Sequence, residues 1–133
     1  MIALDTHALV WWVSEPGRIP ARARRLLGEA VKAGETVAVS SISVWEIAML
    51  VARKRLELRI PLDAWLARVE ALPFLAFVPV DNRIAAQCVA LVDFPHRDPA
   101  DRIILATAAG LGAVLVTADT RLHRFRGVKS VWA

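Results

Sequence analysis

One cysteine, no tyrosine and three histidines are all that this chain of 133 residues carries of those three types. A lone thiol excludes an internal disulfide and fits a reducing compartment, so the expected location is cytoplasmic. His7, His96 and His123 are scattered, without the H-x-x-H or H-E-x-x-H spacing of a zinc hydrolase. No G-x-S-x-G elbow, P-loop or G-x-G-x-x-G fingerprint occurs, which argues against the chemistries those motifs serve. The longest uncharged run, Ile103 to Ala118, is 16 residues and is broken by Gly110 and Gly112. It reads as helix, turn and strand, so no membrane span is expected. The first residues pass straight into Ile2-Ala3-Leu4-Asp5 with no basic lead or cleavage site, so no secretion signal is expected either. Repeats, linkers and low-complexity segments are absent, and residues 1–133 read as one domain.

What the chain has in excess is apolar surface: 56% of its residues are hydrophobic, with a mean hydropathy of +0.45. That excess fits a fully buried parallel sheet, a large subunit interface, or both. The charge is modestly basic, 17 Lys/Arg against 13 Asp/Glu for a net +4. Acids gathered in one site would leave the remaining surface more positive, which favours an anionic partner such as nucleic acid.

Apolar runs and helical periodicities alternate along the chain. Strands are expected at residues 2–4, 36–40, 75–80, 113–116 and 128–131, with Pro79 marking an end or an edge of the third. Helices are expected at 8–13, 20–33, 43–55, 61–72, 81–92 and 99–110, with a helical turn at 119–124. Strands alternating with helices imply right-handed crossovers and a parallel sheet. Cys88 falls on an apolar stripe with Ile84 and Leu91 and reads as a core thiol.

Four acids stand where an apolar stretch hands over to the next element: Asp5, Glu46, Asp101 and Asp119. The carboxyl ends of parallel strands face one crevice, so these acids would converge from distant parts of the chain. Carboxylates held that close repel, and some would protonate unless a cation neutralised them. An oxygen-rich cluster suits Mg²⁺ or Mn²⁺, and such sites act on phosphate esters. Three of the four also have a plainer reading. Asp5, Asp98 and Asp119 are good helix N-caps, and Ser43-Val44-Trp45-Glu46 matches the S-x-x-E capping box. Capping explains an acid at a helix start but does not require one at every strand-to-helix junction. Thr6 and Thr117 add hydroxyls beside two of the acids, and Arg97 and Arg102 are placed to meet a phosphate. Arg53-Lys54-Arg55 with Arg59 is the densest basic patch, readable as dipole complementation at a helix end or as a nucleic-acid contact. Trp11 and Trp12 are adjacent on a short helix that cannot easily bury both rings, which points to an interface.

Four segments together resemble the motif set of PIN-domain ribonucleases, and in particular the VapC-type toxins of bacterial toxin–antitoxin modules. They are Leu4-Asp5-Thr6-His7-Ala8-Leu9-Val10-Trp11-Trp12, Ser43-Val44-Trp45-Glu46-Ile47-Ala48, His96-Arg97-Asp98-Pro99-Ala100-Asp101-Arg102 and Val116-Thr117-Ala118-Asp119. They occur in the family's order and spacing; Ala100 stands where many relatives carry Phe. The resemblance implies a three-layer α/β/α sandwich with a central parallel sheet and a homodimer. It also implies Mg²⁺- or Mn²⁺-dependent cleavage of RNA, and a small VapB-like antitoxin that blocks the active site. By motif position Asp5, Glu46, Asp101 and Asp119 match the family's catalytic and metal-binding quartet, with Thr6, Arg97, Arg102 and Thr117 as candidate substrate contacts. One or two cations held by these acids would lower the pKa of a bound water and orient it for attack on phosphorus. The expected products carry 5′-phosphate and 3′-hydroxyl ends, with Glu46 serving as a ligand through water or as the base. Competing readings are a phosphatase-like hydrolase and a non-catalytic acidic α/β binding domain. A dehalogenase-type phosphatase would need a second Asp two positions after Asp5, where this chain has His7.

Overall fold

The three residues Ile2–Leu4 form β1, which lies at the centre of a five-stranded, all-parallel sheet. The computed structural model describes residues 1–91 and 98–133. The other strands are β2 (Val37–Ser40), β3 (Leu75–Val78), β4 (Val114–Val116) and β5 (Ser130–Val131), in the spatial order β3-β2-β1-β4-β5. Among the described residues seven α-helices connect them: α1 (Thr6–Ser14), α2 (Ala21–Lys32), α3 (Ile42–Ala52), α4 (Leu62–Glu70), α5 (Asn82–Val89), α6 (Pro99–Leu111) and α7 (Thr120–His123). Pro79 follows β3 directly, and β3 is indeed an edge strand, where a missing N–H is tolerated.

Alternation along the strands builds two cores. Ile2, Leu4, Val37, Val39 and Val116 face one side and pack with α1, α2 and α4. Ala3, Ala38 and Leu115 face the other and meet Ile104, Leu105 and Ala108 of α6. The small side chains at 3 and 38 let α6 lie close to the sheet, with α5 packed against α6. This is the three-layer α/β/α sandwich. Each fully buried Leu or Val here contributes about 1.5–3 kcal/mol of transfer free energy. Cys88 is the buried residue of α5, as its stripe implies, and its Sγ–H donates to the Ala85 carbonyl.

Element ends differ from the periodicity where local chemistry intervenes. Helix α1 begins at Thr6 because the Asp5 carboxylate accepts from Ala8 N–H at 2.9 Å. Helix α3 stops at Ala52, three residues early, because Lys54 turns into the left-handed region at φ 58°. The sequence pattern alone carries α5 to residue 92 and places a loop over 94–98; residues 92–97 lie outside the described residues.

Strands β2 and β3 lie on one side of β1, and β4 and β5 on the other. The connection after β3 therefore crosses back over the sheet, and the strand order reverses between β1 and β4. In an open parallel sheet that is where a crevice opens beyond the carboxyl ends.

Candidate active site

Asp5 leaves the end of β1 into that crevice, and Thr117 and Asp119 leave the end of β4 beside it. The Thr117 hydroxyl donates to Asp5 Oδ2, while Asp5 Oδ1 accepts from Ala8 N–H. Asp5 is thus both a helix cap and a site residue; the two readings coexist. It is 7% exposed, and burial pushes its carboxyl above the ordinary range against the lowering effect of Thr117 and Ala8.

Glu46 projects from the second turn of α3. The capping box expected at Ser43–Glu46 does not form, because α3 starts at Ile42 and Ser43 already lies inside the helix. The Ile42 N–H is met by the Ser40 hydroxyl instead. Ser43 is fully buried and its hydroxyl lies 2.9 Å from that of Thr6, which donates to Glu46 Oε1. Burial raises the Glu46 pKa, with the nearby Asp98 and Asp5 charges adding to the shift.

Asp98 caps α6 through Ala100 N–H at 3.0 Å, with Pro99 at the first helical position, and this sets Asp101 facing the crevice. The Asp101 carboxyl is pushed up to about 7, first by burial and then by the neighbouring Asp98 charge. Asp119 caps α7 through Arg121 N–H at 2.9 Å. The Arg121 guanidinium binds the Asp119 carboxylate at 2.7 Å and reaches Asp101 at 3.4 Å. Asp5, Glu46, Asp98, Asp101, Asp119 and Arg121 all line one cavity of about 450 Å³, with Trp11 and His7 also in its wall. Segments from four separate stretches of the chain meet there.

The PIN domain family matches residues 2–128. The chain belongs to the PIN-domain family. It is 37% identical to Ribonuclease VapC22 of Mycobacterium tuberculosis over 98% of both chains. Among solved structures, FitAcB from Neisseria gonorrhoeae aligns with a TM-score of 0.65 at 26% identity, covering 98% of this chain and 96% of that one. A VapBC2 structure from Rickettsia felis bound to promoter DNA aligns over all of both chains with a TM-score of 0.73. At 19% identity the latter speaks to the fold.

Within this PIN domain the candidate substrate residues divide. Thr6 and Thr117 are buried and turn their hydroxyls to Glu46 and Asp5, so they orient carboxylates. Thr117 Oγ1 also accepts from Asp119 N–H at 3.0 Å. Arg102 donates to the carbonyls of Cys88 and Leu91 at 3.0 and 3.1 Å, tying α6 to the end of α5. Arg97, like His96, lies outside the described residues. Among the described residues the cation that reaches the acids is Arg121, which belongs to none of the four motifs. Its signal is local: it stands two residues after a capping Asp, at the first turn of a short helix. Trp11 is half-buried among His7, Trp132 and the Arg18 guanidinium, with centroid distances of 5.6, 5.7 and 5.5 Å. Trp12 meets Phe74 edge-on at 5.1 Å.

The donor set is all carboxylate, which suits a hard divalent cation, and three of the four carboxyls are raised by crowding and burial. Burial is the first cause in each case and neighbouring acids add to it; a divalent cation would favour the ionised forms instead. Among the described residues, however, no three His, Cys, Asp or Glu side chains form a ready-made metal grip. Their oxygens are engaged by Thr6, Thr117, Arg121 and helix N–H groups. The residues fit a cation chemically, and binding one would rearrange those hydrogen bonds. No helix among the described residues is long and apolar enough to cross a membrane.

Proposed function

We propose that this chain is an endoribonuclease that acts as the toxin of a toxin–antitoxin pair. In this reading Asp5, Glu46, Asp101 and Asp119 bind Mg²⁺ or Mn²⁺ and catalyse hydrolysis of RNA phosphodiesters. The observation that carries it is the convergence of these four acids in one cavity at the sheet's switch point, in a chain 37% identical to a VapC ribonuclease. The bound cation would supply charge neutralisation and a water of lowered pKa.

The chain's own residues do the rest. Thr117 and Ala8 N–H fix both oxygens of Asp5, so its carboxylate is pre-oriented. Thr6 does the same for Glu46, which acts as a ligand through water or as the base that takes the proton from the attacking water. Asp101, whose carboxyl burial and Asp98 push up to about 7 in the metal-free site, would be held in its ionised form by the bound cation. Arg121, exposed at the rim, can leave Asp119 to meet a phosphate oxygen as negative charge builds there. Attack of water on phosphorus with loss of the 3′-oxygen leaves 5′-phosphate and 3′-hydroxyl ends.

The partner is a VapB-like antitoxin. The likeness to Ribonuclease VapC22 and to the VapBC2 structure supports that reading, and Trp11, Trp12 and residues 44–50 of α3 are the surfaces to test first. A cytoplasmic homodimer completes it: Trp45 and Val89 expose 56% and 77% of their surface, apolar area that a second subunit would cover. The deciding experiment is cleavage of a mixed RNA pool by the purified chain, with and without Mg²⁺ or chelator, and mapping of the cut ends. Chelator-sensitive cuts with 5′-phosphates are expected; no cleavage, or cleavage indifferent to chelator, overturns the reading.

A further inference from the structure

Three helices of this chain end in the same backbone motif. In α2, Gly34 N–H bonds Val31 and Glu35 N–H bonds Ala30; in α6, Gly112 bonds Ala109 and Ala113 bonds Ala108. In α3, Lys54 bonds Val51 at 3.1 Å and Arg55 bonds Leu50 at 2.9 Å. The turning residue has φ 74° at Gly34, φ 61° at Gly112 and φ 58° at Lys54. Glycine reaches this left-handed conformation without steric cost, whereas a lysine Cβ crowds the following carbonyl. The chain uses glycine at two of these turns and a strained lysine at the third. Complementing the helix dipole does not explain it, since a cation in the last turn of ordinary helix would serve that purpose.

The surroundings of Lys54 point to an anion. Arg53, Lys54, Arg55 and Arg59 are all exposed, and none of the ion pairs formed among the described residues uses them. Lys54 and Arg59 line one open hollow of about 550 Å³, together with Glu57 and an apolar wall that includes Leu56 and Ile60. Arg53 lies seven residues after Glu46, which on a helix is the same face two turns on, about 10.5 Å along the axis. A strand entering the acidic cavity at Glu46 and running along α3 therefore reaches Arg53, the residue before Lys54.

We propose that Arg53, Lys54 and Arg59 form a second RNA-backbone site, holding phosphates of single-stranded RNA a few nucleotides from the cleaved bond. This rests on the ribonuclease reading above.

The test is steady-state cleavage of a labelled single-stranded RNA in Mg²⁺ across a salt series, with thermal melts of each variant. Lys54→Gly should raise KM about three- to tenfold with kcat unchanged and flatten the salt dependence by roughly 0.7 for each phosphate no longer held. Its Tm should stay at or above that of the wild type, because the strain is relieved. Lys54→Arg should restore KM, and Arg53→Ala and Arg59→Ala should each act in the same direction as Lys54→Gly. If the wild type cleaves RNA and Lys54→Gly keeps its KM and salt slope, the second site is overturned. Unchanged KM with weakened antitoxin binding assigns the patch to a protein partner and also overturns it. A lowered Tm for Lys54→Gly removes the strain on which the proposal stands. A wild type that cleaves no RNA overturns the proposed function itself.

Discussion

The Arg121 guanidinium reaches 3.4 Å from Asp101 Oδ2 while it holds Asp119 at 2.7 Å, so one cation from α7 links two acids that stand on different elements. It is one of the influences that lower the Asp101 pKa, opposing burial and Asp98. Arg121→Ala should therefore push Asp101 higher still, and the acid limb of the pH–rate profile should move to higher pH. An unmoved acid limb would show that Asp101 ionisation does not govern activity.

Asp5→Asn and Asp101→Asn should each lower metal-dependent RNA cleavage by orders of magnitude while the fold persists. Asparagine caps a helix about as well as aspartate and removes a crowded charge, so metal-free Tm should hold or rise. Asp5→Ala is the contrast: it also loses the cap of α1, at about 1 kcal/mol. Melting curves beside activity assays separate the two roles, and near-normal cleavage by Asp5→Asn would refute the assignment.

Raised carboxyl pKa values make metal-free stability depend on pH. Asp101 sits near 7 in the folded chain against an ordinary 3.8, so between those values the folded state binds the extra proton. Stability is then greatest at the acidic end of that window and falls as pH rises toward 7, with Asp5 and Glu46 acting in the same direction. Tm in chelator should fall between pH 5 and 8 and flatten in Asp101→Asn. Saturating Mg²⁺ should oppose the fall. A Tm that rises across this range would contradict the crowding.

Thr6→Val keeps the shape but removes the hydroxyl that orients Glu46 and partners buried Ser43. A destabilisation of about 1–3 kcal/mol is expected from the stranded hydroxyl. A fall in kcat of about 10- to 100-fold, the scale for a group that orients a metal-binding side chain, should accompany it. Thr6→Ser should recover most of kcat, which a purely structural defect would not predict.

Arg102→Ala should behave as a stability variant. Removing its charged hydrogen bonds to the carbonyls of Cys88 and Leu91 should cost about 2 kcal/mol in urea melts. The salt slope of kcat/KM should not change. A flattened slope would return Arg102 to the RNA path that its motif position implies.

The strand–helix alternation and the acids at the junctions between elements were legible in the chain itself. Burial runs, capping residues and helical periodicity act over a few residues, so they are written locally. Asp98 with Pro99 is the clearest case, since both members of the cap are adjacent in sequence.

The partnerships that turn acids into a site were decided by the tertiary structure. Glu46 takes its hydrogen bond from a threonine 40 residues earlier, and the pattern that reads as a capping box is pre-empted because α3 starts at Ile42. Arg121 meets Asp101 across 20 residues, while Arg102, next to Asp101 in sequence, turns the other way to α5. Side chains adjacent on a helix diverge by about 100°, so sequence neighbours need not share a face. Which distant groups meet is set by the strand order β3-β2-β1-β4-β5 and by packing across it, and no local period encodes that order.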